Sequence, residues 1–184
     1  MIRLLAALAL ALPLAAPASE PAAWEALARG GQVVLVRHAA TTPGAGDPPG
    51  FRLEDCATQR NLSPAGRREA RRLGEAFRSR GVRVARVLSS PWCRCLESAE
   101  LAFGARPATH PALGNLYGRA ENRERQVAAF RELIAAPPRE GNLVLVTHGS
   151  TTVALTGEYP AMGEAIVVTP EGGGGFRVVG RIAS

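Results

Sequence analysis

With 184 residues the chain has the length of one domain able to bury a sizeable core. Its formal net charge is +6, every basic residue is arginine, and aromatic residues make up only 5% of the chain. Arginine grips oxyanions with a planar fork, so this balance suits an anionic substrate. The arginines are interspersed with acidic residues and lack aromatic companions, which argues against a nucleic-acid partner.

The chain opens Met1-Ile2-Arg3, runs apolar from Leu4 to Leu12 and then reaches Ala16-Pro17-Ala18. A charged start, a short apolar middle and a small-x-small ending predict a secretory signal over residues 1–18. The mature domain is then 19–184, periplasmic or secreted, and the apolar run is too short to leave a membrane span. Pro21 to Arg29 predicts a short amphipathic helix ended by Gly30-Gly31, and Gln32 to Val36 a first strand. A Pro/Gly-rich loop runs from Thr41 to about Asp55, a length that usually signals function. Ser63 as cap and Pro64 at the first helical position start a helix that stops at Gly81. Its stripe of Ala65, Ala70, Leu73, Ala76 and Phe77 faces a core, and Arg67, Arg68, Arg71 and Arg72 form a solvated face.

Val84 to Leu88 is the second strand, and Ser89-Ser90-Pro91 opens a helix to Phe103, closed by Gly104. A short strand near Pro107-Ala108-Thr109 and a loop through Leu113 to Tyr117 precede a helix from about Asn122 to Ala135. After Pro137-Pro138 come a strand from Leu143 to Val146 and a short helix from about Thr151 to Thr156. The chain ends in a hairpin, Ala165 to Thr169 and Phe176 to Val179, turning at Gly172 to Gly175. Strands alternating with helices predict an α/β fold: a single doubly wound domain, its mostly parallel central sheet flanked by helices.

The cysteines are Cys56, Cys93 and Cys95. In an exported protein a disulfide is expected, with one thiol left over. Cys93 and Cys95 diverge on a helix, so Cys56 pairs with one of them. No CxxC spacing exists for zinc, and no metal or other cofactor is expected.

Two of the three histidines follow directly on apolar strands: Arg37-His38-Ala39 after Val33 to Val36, and Thr147-His148-Gly149 after Leu143 to Val146. Such runs read as strands buried on both faces, whose C-terminal ends are where open α/β sheets place ligands. One site built from two strand ends, with imidazole as its working group, follows. The third histidine, His110 before Pro111, sits in a loop and carries no such signal.

Together with Asn61-Leu62-Ser63-Pro64-Ala65-Gly66 and Ser89-Ser90-Pro91-Trp92-Cys93-Arg94, these strings make the chain resemble the histidine phosphatase (phosphoglycerate mutase-like) superfamily. The motifs occur in order, and the resemblance covers about Gln32 to Val168. It implies a phosphoglycerate mutase-like fold and a phosphohistidine intermediate on His38. It also implies phosphate clamps at Arg37 and Arg94, with His148 donating to the transferring group. The chemistry agrees, because a phosphoryl dianion needs fixed cationic donors and an in-line nucleophile, and neutral imidazole can serve as that nucleophile.

Two departures stand out. Ala39 replaces the glycine that many relatives carry after the first histidine. The general acid of the mutase-type branch has no counterpart, since Leu113 to Tyr117 holds no carboxylate, and Gly149 stands where the acid-phosphatase branch has Asp. The sequence offers Glu164, at the start of the strand after His148, as the proton donor, with Glu121 and Asp55 as alternatives. A mutase is disfavoured because phosphoglycerates are cytoplasmic and the chain lacks long insertions. The expected function is an exported phosphatase acting on a small phosphomonoester or a phosphorylated envelope component such as a lipopolysaccharide sugar phosphate. A protein-phosphohistidine phosphatase is one alternative, and a phosphate-binding protein without turnover is the other.

Overall fold

The computed structural model describes residues 18–104 and 106–183. The signal segment read over 1–18 therefore lies, but for Ala18, outside the described residues. In chain order the elements are α1 (Glu20–Arg29), β1 (Val33–Arg37), α2 (Pro64–Ser79), β2 (Val84–Ser89), α3 (Cys93–Phe103) and β3 (Ala108–Thr109). They continue with α4 (Arg123–Ala135), β4 (Asn142–Thr147), α5 (Gly149–Thr156), β5 (Ala165–Gly172) and β6 (Gly175–Ile182). Among these described residues no helix is long and apolar enough to cross a membrane.

The six strands form one sheet in the order β3-β2-β4-β1-β5-β6. The pairs β1/β4, β2/β4 and β2/β3 are parallel, while β5 runs antiparallel to β1 and β6 to β5. The sheet is thus mixed and mostly parallel, as the alternation of strands and helices predicts. Side chains of β1 alternate between its two faces. Val34 and Val36 pack with Leu27, Leu73, Phe77 and Ala99 of α1, α2 and α3, and Val33 and Leu35 with Phe130, Ile134 and Leu155 of α4 and α5. Both faces are covered, which is why β1 and β4 read as unbroken apolar runs.

The structure extends two of the expected elements. Helix α5 begins at Gly149, directly after His148, and the hairpin strands are eight residues each. The chain between β1 and α2 is tied down at both ends. Ser63 caps α2, with its Oγ accepting from Gly66 N (3.0 Å), and it donates from N (3.0 Å) and Oγ (3.2 Å) to the Ala40 carbonyl. A Cβ on Gly66 would stand 1.9 Å from that same Ala40 oxygen. Glycine is needed there so that the start of α2 can lie against the turn that carries His38.

Candidate active site

The register of β1 against β4 builds the centre of the site. Arg37 pairs with Thr147, so the residue after each strand is a histidine, and the two emerge side by side. His38 N donates to the Thr147 carbonyl (3.0 Å), and the two imidazole centroids stand 5.3 Å apart at 69°. Both rings are buried.

His38 Nδ1 lies 2.9 Å from the Ala39 carbonyl oxygen. A carbonyl only accepts, so Nδ1 holds the proton and Nε2 keeps its lone pair. Burial first, and then the charges of Arg94, Arg37 and Arg60, pull the His38 pKa down to about 3 against the opposing pull of the Ala39 carbonyl. The ring is neutral at pH 7, the state a nucleophilic imidazole requires. His148 is likewise held well below the ordinary histidine value, by burial first and then by the charges of His38, Arg94, Arg37 and Arg119. Its Nε2 shares a 2.8 Å hydrogen bond with Ser90 Oγ, and the Trp92 ring meets it edge-on at 5.2 Å.

Around the histidines is a cavity of about 240 Å³ lined by Arg37, Arg60 and Arg94, among others. Arg37 donates from Nη1 to the Pro160 carbonyl (2.8 Å), and Arg60 donates from Nη1 to Thr41 Oγ1 (2.8 Å) and the Gly44 carbonyl (2.7 Å). Arg94, only 1% exposed, sets its Nη1 and Nη2 on the two carboxylate oxygens of Asp47 at 2.6 and 3.2 Å. In all three arginines Nε is buried and has no hydrogen-bond partner. Buried donors are nearly always satisfied, and leaving one unpaired is costly. Three guanidinium cations lining one cavity suit it to an oxyanion.

Asp47 and Arg60 escape sequence reading. Asp47 sits in the Pro/Gly-rich loop, yet its side chain is 3% exposed and also accepts from Trp92 Nε1 (3.0 Å) and Arg60 N (3.1 Å). Burial pushes its carboxyl up, but the hydrogen bond and charge of Arg94 hold it below the usual carboxylate range. The only signal for Arg60 is its place directly before Asn61-Leu62-Ser63. The cavity also takes in Asn115, Ser150, Met162 and two tyrosines, Tyr117 and Tyr159, none singled out by the sequence.

The disulfide joins Cys56 to Cys93 and leaves Cys95 as a buried free thiol. Cys93 opens α3 toward the loop, whereas Cys95 turns to the sheet, with Sγ 3.5 Å from the Thr147 carbonyl and from His148 Nε2. Burial pushes the Cys95 thiol up to about 12. His110 caps the short turn Pro111–Leu113 by accepting from Ala112 N, away from the site.

Glu164 is not among the residues that line the cavity. Its backbone carbonyl accepts from Arg37 N, but its carboxylate accepts from Ala161 N (2.6 Å) and from Arg181 Nη1 (3.3 and 3.4 Å). Arg181 belongs to β6, and that neighbouring strand draws the acid away from the cavity it was expected to serve. Glu121, on an exposed turn, accepts from Asn122, and Asp55 caps the turn Cys56–Thr58 and pairs with Arg52. Among the described residues no carboxylate lines the cavity, and no group of three His, Cys, Asp or Glu side chains could hold a metal.

A family model described as histidine phosphatase superfamily (branch 1) matches residues 33–123. Among solved structures the chain is similar to the Thermus thermophilus protein TTHB049, at 25% identity and a TM-score of 0.56, over 83% of this chain and 99% of that one. It has the same fold as the protein histidine phosphatase SixA complexed with tungstate (19% identity, TM-score 0.54, 83% and 96% covered). The fold is also that of a phosphoserine phosphatase in complex with 3-phosphoglyceric acid from Entamoeba histolytica (14%, 0.58, 83% and 97%). No curated protein matches the chain.

Proposed function

The chain belongs to the histidine phosphatase superfamily and is a phosphatase, and we propose that it hydrolyses a phosphomonoester through a phosphohistidine on His38. The observation that carries this reading is that three arginines, Arg37, Arg60 and Arg94, line one cavity together with two neutral histidines. In the first half-reaction His38 Nε2 bonds to phosphorus as the bond to the leaving oxygen breaks. In the second, water attacks phosphorus, the P–N bond breaks, and inorganic phosphate and a neutral His38 remain. The arginines neutralise the equatorial oxygens, and the N–H that neutral His148 still carries donates to the group in transfer. SixA, whose fold this is, is complexed with tungstate, a tetrahedral oxyanion.

With no carboxylate in the cavity, the leaving group takes its proton from water or a hydroxyl, which favours leaving groups that depart with little help. That observation also favours a second reading, a protein-phosphohistidine phosphatase, because a leaving imidazole needs less assistance than an alkoxide. The signal-like segment at 1–18 supports export and, with it, a phosphorylated envelope sugar as substrate.

Acid quench of the enzyme with labelled nitrophenyl phosphate is expected to trap acid-labile phosphate on His38, with vanadate inhibiting competitively. Steady turnover with no label on the protein would remove the covalent step. Rates on a heptose phosphate and on a phosphohistidine peptide separate the two substrate readings.

A further inference from the structure

The chain has two tyrosines, Tyr117 and Tyr159, and both line the cavity while remaining largely exposed, at 60% and 57%. They come from separate segments. Tyr117 ends the loop after β3, where its N–H donates to Asn115 Oδ1 (3.1 Å), which also accepts from Ser150 Oγ (2.7 Å). Tyr159 follows α5, and its ring lies 4.8 Å from the Arg37 guanidinium, which holds the next residue's carbonyl. Each ring is set against a glycine. A Cβ on Gly46 would stand 3.3 Å from the Tyr117 ring, and one on Gly149 only 2.9 Å from that of Tyr159. Gly149 directly follows His148, so its missing side chain is what lets Tyr159 close on the site.

Size assigns the rings a task. Pockets that enclose a drug-sized ligand run to roughly 300–1,000 Å³. This one is about 240 Å³, and its lining includes three arginines and two histidines, so the phosphoryl group takes the space nearest them. Whatever carries the phosphate must then sit at the mouth, where the two exposed rings are the large apolar faces on offer. Aromatic faces reward a flat or ring-shaped partner far more than a short flexible chain.

We propose that Tyr117 and Tyr159 are specificity-determining residues that receive a ring, a sugar or an aryl group, bearing the phosphate. The assignment rests on the phosphatase reading above. It also accounts for two amphipathic side chains held in water on ordered segments beside a cavity whose other lining is mostly polar.

The test is calorimetric binding of inorganic phosphate, methylphosphonate, phenylphosphonate and cyclohexylphosphonate to the intact enzyme. The parent is expected to bind both ring-bearing phosphonates about tenfold or more tighter than methylphosphonate. That ratio falls to about twofold in Y117A/Y159A, stays near the parent's in Y117F/Y159F, and inorganic phosphate affinity moves by less than about twofold in either pair. A parent without ring preference, or a ratio that survives the alanine pair, overturns the proposal. So does an equal loss for phosphate and every phosphonate, which would make the tyrosines props for Arg37. If phosphate itself fails to bind the parent, the phosphatase reading falls, and this assignment falls with it.

Discussion

His38 and His148 on the one hand, and Arg60 and Asp47 on the other, reach the same cavity by opposite means. The histidines are placed by backbone: parallel strands in fixed register end side by side, and the next residue of each projects from the sheet edge. Arg60 and Asp47 lie in the stretch between β1 and α2, where side chains do the placing. Asp47 bonds Arg94, Trp92 and the Arg60 amide, Gln59 Oε1 accepts from Cys93 N, and a disulfide closes Cys56 onto α3. A floor set by register tolerates side-chain change, whereas a wall set by side chains does not.

The sharpest way to break that contrast is on the floor. Replacing His38 with Ala should cost at least about a thousandfold in kcat, since the phosphoryl group loses its acceptor. The fold should persist, read as an unchanged thermal transition and one free thiol. Near-parental turnover would end the nucleophile assignment.

In the wall, Asp47→Ala strands a fully buried guanidinium. Breaking a buried pair from one side costs about 3–5 kcal/mol, measurable by urea denaturation, and should lower kcat/KM as Arg94 loses its orientation. A neutral outcome in both would show that Arg94 needs no partner. Removing the disulfide with Cys56→Ser/Cys93→Ser opens a loop spanning 37 residues, worth about 4 kcal/mol in the chain-entropy model, less any native strain. Because that loop carries Arg60, KM for phosphate esters should rise as well. A loss of stability with KM unmoved would detach the staple from the site.

The smallest effect is expected at Glu164. Its partner Arg181 is partly exposed, so Glu164→Gln should cost about 1 kcal/mol or less. It should change alkyl and aryl phosphate hydrolysis alike by under about twofold, far from the roughly hundredfold expected of a lost general acid. A selective loss on alkyl phosphates would return the acid to this residue.

The same division explains what the sequence made legible. Buried strands announce themselves as apolar runs, and a histidine directly after one is readable, so the sheet, His38, His148, Arg37 and Arg94 could be named from the chain. The pairing of Asp47 with Arg94 spans 47 positions and is made by a carboxylate among glycines and prolines, where no periodicity exists to read. Cys93 rather than Cys95 as the partner of Cys56 depended on which side of α3 faces the loop. Glu164 lies where the sequence places it along the chain, next to the edge that carries His38, but the direction of its carboxylate is decided by Arg181 on a strand that comes later.

The sheet described above also ends unequally, with two residues in β3 at one side and eight in β6 at the other. An unpaired strand edge is a template for another chain, and a two-residue edge offers almost none. Any self-association by strand addition must therefore start at β6. There the backbone N–H of Ser19 already takes the carbonyl of Val179, and Arg177 and Arg181 put charge into the strand. The start of the described chain thus takes up one of the backbone acceptors that this long edge would otherwise offer a second strand.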